Sequence, residues 1–394
     1  MLKSLLTARG AAISGIFLFF VISIGWLVFI RAKFDAAAIE GALTVGGIFG
    51  TIVTLVILLF PPMPKPIRVH TLLRQGSEFN DAFLIGLEGV FTNNTQAIEH
   101  IQIDLDGDSS RQYDIQIREL QKCITNPKVD AVIIRPIRIE DSIRDGILAC
   151  MAARKLVICV DMFIEPDAIM DSKAIQPYYI TSDHRKGGEL LGRYVIERMG
   201  SAMSNSYVIA LLGPNTSPPG TARSMAFVWE LILGCFPLGH LGVEVLQDWD
   251  RAKAYETFVQ AIAKFEQKNL QNVKEIFVFC GADPICMEID LKINTESFRR
   301  KFPGVSDKIM LIGYDGTKTT ARDKFNVSRT NHCIATIDVK PEQQGRIVGD
   351  VLVRWWKSRE LSGVTSNRLM PSLHEIKSSN DTSERQGNLQ SQLN

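Results

Sequence analysis

The sequence has no excess of either charge. Its 394 residues carry 44 Lys and Arg against 43 Asp and Glu, and no block of like charge exceeds a few residues. Such a chain lacks the electrostatic footprint of a nucleic-acid-binding protein. It also lacks a disulfide or zinc framework. Seven cysteines, Cys123, Cys150, Cys159, Cys235, Cys280, Cys286 and Cys333, include no CxxC pair and no Cys/His cluster at zinc spacing. An odd number, most of them inside apolar runs, reads as buried thiols. Catalytic signatures are missing as well. GGELLG has the wrong spacing for a dinucleotide loop, GPNTSPPGT lacks the lysine of a phosphate loop, and neither a nucleophile elbow nor HExxH occurs. Asp161 and Asp315 have the chemistry of a glycosidase pair, but nothing in the sequence tunes one of them as an acid. No catalysis, cofactor or metal is expected.

What the chain does have, at its start, is two long apolar runs. Residues 11–30, AAISGIFLFFVISIGWLVFI, and 41–60, GALTVGGIFGTIVTLVILLF, are each twenty residues without a charge. Each matches the roughly 20 residues of helix that cross a bilayer core, so the sequence predicts a two-helix membrane hairpin. Ala36-Ala37-Ala38 offers the alternative of a cleaved signal, although the first run is longer than an ordinary signal core. Gly46 and Gly50 stand at GxxxG spacing, a candidate homodimer face in a membrane, where glycine is also simply frequent. With two spans, the N-terminus and the large domain share one side. Lys3, Arg9, Lys65, Arg68 and Arg74 flank the spans there, against Arg31 and Lys33 in the loop. That bias leans towards a cytoplasmic domain, as do the unpaired cysteines.

PPMPKP, residues 61–66, follows as a semi-rigid spacer, and the polar residues 377–394 read as a disordered tail. Between them, strand-like runs at 67–73, 97–105, 129–135, 156–161, 178–183, 208–213, 241–247, 275–280, 309–315 and 334–338 alternate with helical stretches. VDAVIIR and EIFVFC are almost continuously apolar, as buried parallel strands are. The alternation predicts an α/β protein, and ten strands suit two doubly wound parallel-sheet lobes better than one sheet. Ligands bind beyond the carboxyl ends of such strands, and Asp161, Asp183, Asp283 and Asp315 all stand at those ends. Any one of them can equally cap a helix or a turn.

Seven stretches fall in a recognisable order: FNDAFLIGLEG, VDAVIIRPI, VDMF, ITSDHRKGGELLGRYV, LLGPNTSPPGTARSMAF, LIGYDGT and IATIDVKPEQQG. Over residues 67–376 they resemble the type 1 periplasmic binding proteins, nearest the ribose/galactose-binding branch that also supplies the effector domain of LacI-like repressors. The resemblance implies one lobe of 67–182 with 340–368, a second of 183–339 with 369–376, and a hinge of three crossings. It implies a cleft holding Phe79, Asp161, Arg223 and Asp315, with the ring covering a sugar's C–H face and the charged groups bonding its hydroxyls. Three positions depart from the family pattern: Met162 replaces a common Arg, Ala282 an Asn, and Val339 a Gln. They point to a ligand with fewer hydroxyls or more apolar surface. Asp183 and Asp283 are expected to serve the hinge or a loop. Two readings stay open. One is an exported, membrane-tethered binding protein delivering a sugar-like ligand to a transporter permease or receptor kinase. The other is a cytoplasm-facing sensor of a metabolite or nucleotide-like signal, acting through the hairpin. A repressor role is not expected, since the hairpin stands where a DNA-binding motif would be.

Overall fold

Strands that are apolar on both sides are stable only where both faces are covered. In the computed structural model, which describes residue 50 and residues 65–74, 77–105, 109–162, 177–268, 272–316, 332–359 and 367–376, they form two sheets flanked by helices. All the elements belong to one unit, Pro66–Asn394. First come β1 (Ile67–Arg74), α1 (Glu78–Thr92), β2 (Ile98–Leu105), α2 (Ser109–Thr125), β3 (Ala131–Ile134), α3 (Asp141–Ala152), β4 (Leu156–Val160) and β5 (Tyr178–Ser182). Next are α4 (His184–Met199), β6 (Ser206–Leu212), α5 (Pro218–Leu233), β7 (Leu241–Val245), α6 (Arg251–Gln267) and β8 (Glu275–Phe279). They are followed by α7 (Asp283–Ile293), α8 (Glu296–Lys301), β9 (Ile309–Ile312), β10 (Cys333–Asp338), α9 (Pro341–Ser358), β11 (Asn367–Leu369) and β12 (Ser372–Glu375).

The first sheet has the order β11-β5-β4-β3-β1-β2 and is wholly parallel. The second, β12-β10-β9-β8-β6-β7, is parallel except for β12 against β10. β3, β4 and β6 are buried at every position. One apolar core joins the α1/α9 face of the first sheet to the α4/α5 face of the second. Two others fill the opposite faces, under α6 and α7 and under α2 and α3. α1 and α9 cross at Gly86 and Gly345, where a Cβ on either would overlap the backbone carbonyl of Glu342 or Phe83. Only glycine allows that approach.

The chain passes between the sheets three times: from β5 into α4, from β10 into α9, and from β11 into β12. The third passage explains the antiparallel strand. β11 leaves the first sheet at its carboxyl edge and enters the second from its carboxyl edge, so β12 must run backwards. Hydrogen bonds tie the passages together. The Asp183 N–H donates to the Leu369 carbonyl at 2.8 Å. The Val339 carbonyl accepts from the Ser182 hydroxyl and from Gln344 Nε2 at 2.9 Å.

All ten expected strands form, with shifts of a residue or two at most ends. The largest difference is at 309–315, where the strand stops at Ile312. Asp161 and Asp315 lie just beyond their strands with φ of 62° and 77°, a left-handed backbone that leaves the ladder. Asp183 does not end β5 but caps α4, its carboxylate accepting from the Lys186 N–H at 2.9 Å. β11 and β12 are too short and polar to register as apolar runs. Six of the seven free cysteines are buried and Cys235 is exposed. Among the described residues no helix is long and apolar enough to cross a membrane. The runs 11–30 and 41–60 (Gly50 excepted), most of the spacer and the tail 377–394 lie outside those residues.

Candidate functional site

Parallel strands gather their carboxyl ends, the following loops and the helix N-termini along one edge. At the first sheet's edge Asp161 is only 2 % exposed. Arg135, directly after β3, donates to its Oδ2 from Nε at 3.1 Å and from Nη2 at 2.5 Å. His184 Nε2 lies 2.7 Å from Oδ1. Burial by itself would raise this carboxyl's pKa. The charges of Arg135, then His184 and Arg223, outweigh it and hold the group well below the usual carboxylate range. An ionised Asp161 can only accept, so His184 donates from Nε2, and its Nδ1 is buried without a partner. Arg135 also reaches Asn80 Oδ1 at 3.2 Å, and its guanidinium carbon sits 4.1 Å from the Phe79 ring centroid.

The second sheet contributes a matching set. Arg223 in α5 donates from Nη1 to Asp315 Oδ1 at 2.7 Å. Its guanidinium carbon lies 4.5 Å from the Tyr314 ring centroid and 4.9 Å from that of Trp249. Arg223 is buried, yet its Nε has no partner. The Tyr314 hydroxyl donates to the His184 carbonyl at 3.1 Å, through a space that any Cβ on Gly187 would close. Asp283 heads α7 beneath the 313–316 turn. Thr336 donates to its Oδ1 at 2.7 Å, while Oδ2 is buried and unpartnered. Burial, reinforced by Asp315 and Glu78 and opposed by the Thr336 bond, pushes the Asp283 pKa well above its ordinary value. The Tyr314 bond to the His184 carbonyl, with His184 held on Asp161, brings the two sheets' edges together.

Of the residues expected in the cleft, Phe79 and Asp161 meet through Arg135, and Arg223 meets Asp315 directly. Met162 is buried beside Asp161. Ala282 lies in the core under α6 and α7, and Val339 in the shared core, where its carbonyl serves the passage into α9. Three groups at these edges were not among the candidates. Arg135 supplies from the neighbouring strand the guanidinium that position 162 lacks, and the rule that picked out strand-end carboxylates applies equally to a strand-end cation. His184 looks in sequence like a helix-start residue. Trp249 lies four residues beyond β7, outside the expected strand 241–247 and every quoted motif. With Arg135, His184 and Thr336 present, the edge is more polar than the three departures suggest. Among the described residues no cluster of His, Cys, Asp and Glu could hold a metal ion.

No protein-family profile and no curated protein matches the chain. Solved structures do. A periplasmic ribose ABC transporter protein from Conexibacter woesei aligns with a TM-score of 0.60 at 15 % identity, covering 80 % of this chain and 93 % of that one. The Caulobacter myo-inositol binding protein, bound to myo-inositol, aligns at 0.60 with 18 % identity over 82 % and 96 %. An ABC transporter periplasmic solute-binding protein from Actinobacillus succinogenes with bound D-allose aligns at 0.59 with 17 % identity over 79 % and 97 %. The fold is that of the periplasmic binding proteins.

The raised pKa of Asp283 has a signed consequence. A carboxyl with a folded-state pKa above its unfolded one stabilises fully below the unfolded value, and this is lost as pH rises through the folded value. Asp283→Asn keeps an acceptor for Thr336 but cannot ionise. Melting followed by circular dichroism should show a Tm above wild type at about pH 8, with the difference closing near pH 4. A difference that stays constant over this range would contradict the assignment.

Proposed function

We propose that this chain is a membrane-anchored solute-binding protein that holds a small sugar-like ligand between the carboxyl edges of its two sheets. The observation that carries this reading is the convergence of Phe79, Arg135, Asp161 and His184 at the edge of one sheet with Arg223 and Asp315 at the edge of the other, joined through the Tyr314–His184 hydrogen bond. These groups have the chemistry a polyhydroxylated ring requires. The carboxylates accept from adjacent hydroxyls, the guanidiniums donate in a plane, and Phe79 and Trp249 offer apolar faces to C–H groups. Buried polar atoms without partners, Arg223 Nε, His184 Nδ1 and Asp283 Oδ2, are costly unless something completes their bonding, and a ligand hydroxyl would do so. The protein binds its ligand without turnover. The three passages act as the hinge between lobes 67–182 with 340–368 and 183–339 with 369–376, and closure about them signals to a permease or receptor. Residues 11–30 and 41–60 tether the domain, and 61–66 space it from the bilayer.

A second reading has its own support. Seven free cysteines and the cation bias suit a reducing compartment, in which the same domain would sense an intracellular metabolite and act through its membrane segments.

Asp315→Ala and Arg223→Ala should each weaken binding of the best ligand from a monosaccharide and cyclitol panel by about 1.5–3 kcal/mol. That is roughly 10- to 150-fold in Kd by calorimetry, with folding checked by circular dichroism. Unchanged affinity in both removes this site. A reporter active on one side of the membrane, fused after Asn394, separates the two readings. Activity outside is expected for the tethered receptor, and activity inside would leave only the sensor.

A further inference from the structure

The cleft leaves a second surface unexplained, at the outer edge of the second sheet. On α5, Met225, Trp229, Ile232 and Leu233 are 58 %, 57 %, 41 % and 60 % exposed. The other flank of this helix packs closely on α4, where a Cβ on Gly188 or Gly192 would overlap Arg223, Ala226 or Glu230. The exposed residues therefore look away from both α4 and the core. Leu238, in the turn that follows, is 65 % exposed. Next comes β7, the edge strand, which pairs only with β6 among the described residues. Val243 and Val245 are 44 % and 50 % exposed, and they stand in register with Ala210 and Leu212. Those two residues belong to the core shared with α5, so the valines emerge on the helix's side of the sheet. Helix flank, turn and strand make one apolar strip bordered by a free backbone edge.

Size and charge identify what covers it. Seven large apolar side chains, each 41–65 % exposed, form a contiguous patch of the kind that marks an interaction site. Their extent along helix, turn and strand suits one side of a standard interface of roughly 800 Å² per partner. The charges of the strip's own elements are paired, and Lys268, which borders the turn, donates to the Gly239 carbonyl at 3.1 Å. Arg223 is buried against Asp315, Glu230 pairs with Arg193 at 3.0 Å, and Glu244 pairs with Lys264 at 2.5 Å. A neutral, apolar face is complementary to itself, and a strand edge related by a twofold axis pairs antiparallel with its own copy. We propose that a second copy of this chain docks on this strip, β7 beside β7 and α5 against α5. The contact is independent of the ligand reading and distinct from any pairing through Gly46 and Gly50.

Cys235, the one exposed thiol, lies between Leu233 and Leu238 and reports on the strip. Purified full-length chain in nonionic detergent is labelled with a maleimide from nanomolar to tens of micromolar protein, with labelling at Cys235 read by peptide mass and assembly by sedimentation velocity. Wild type should sediment as a dimer at high concentration, with labelling slowed about tenfold or more by mass action. Trp229→Glu, and separately Val243→Lys on the other element, should remove the concentration dependence while leaving the melting curve unchanged. Three results overturn the proposal. One is fast labelling of wild type at every concentration. Another is a dimer that persists in both variants with Cys235 freely labelled, which is held elsewhere. The last is slow labelling at every concentration, which assigns the cover to a segment of the same chain.

Discussion

One buried ion sets the terms for the rest of the domain. A carboxylate taken out of water loses several kcal/mol of hydration, and removing one partner of a buried pair costs about 3–5 kcal/mol. Asp161 is ionised in that setting because both of its oxygens are held, Oδ2 by Arg135 and Oδ1 by His184. Arg135 stands at the end of a first-sheet strand, whereas His184 begins the helix that opens the second half of the chain. The contact therefore fastens the first sheet's edge to the start of the helix that leads into the second sheet. Tyr314 extends it by donating to the His184 carbonyl while its ring lies beside Arg223.

The opposing edge solves the same problem the other way. Asp283 has a hydroxyl donor and no cation, and burial drives it towards the protonated form. In the proposed cleft one face thus presents a fixed acceptor and the other a potential acid donor. A hydroxyl group, which both donates and accepts, matches that combination. Where the chain passes between the sheets, Ser182, Val339, Gln344, Asp183 and Leu369 bind the passages into one bundle. In the proposed cycle, opening is confined to rotation about that bundle.

Much of this architecture was legible in sequence because full burial leaves a coarse trace. AVII and LVICV have no polar face, which suits only a covered parallel strand. Asp161 and Asp315 stood out because each interrupts such a run at its tip. Their partners did not stand out. A cation after a strand, as at Arg135, looks like any solvated loop residue until the neighbouring strand is placed beside it. His184 resembles an ordinary helix start, and its bond to Asp161 spans 23 positions of sequence. β12 runs backwards because of where the third passage enters its sheet, a constraint of topology that its four residues do not encode. The exposed strip on α5 was hidden by periodicity, since an apolar residue at helical spacing reads as core whichever way it faces.

Hydrogen–deuterium exchange on the full-length chain, with and without the tightest-binding sugar or cyclitol, tests the central claim most directly. Added protection should appear together in peptides from both edges: 135–137, 161–162 and the start of α4 on one side, 213–223, 282–283 and 314–316 on the other. Protection confined to one sheet, or located away from these loops while the ligand is bound, would contradict it.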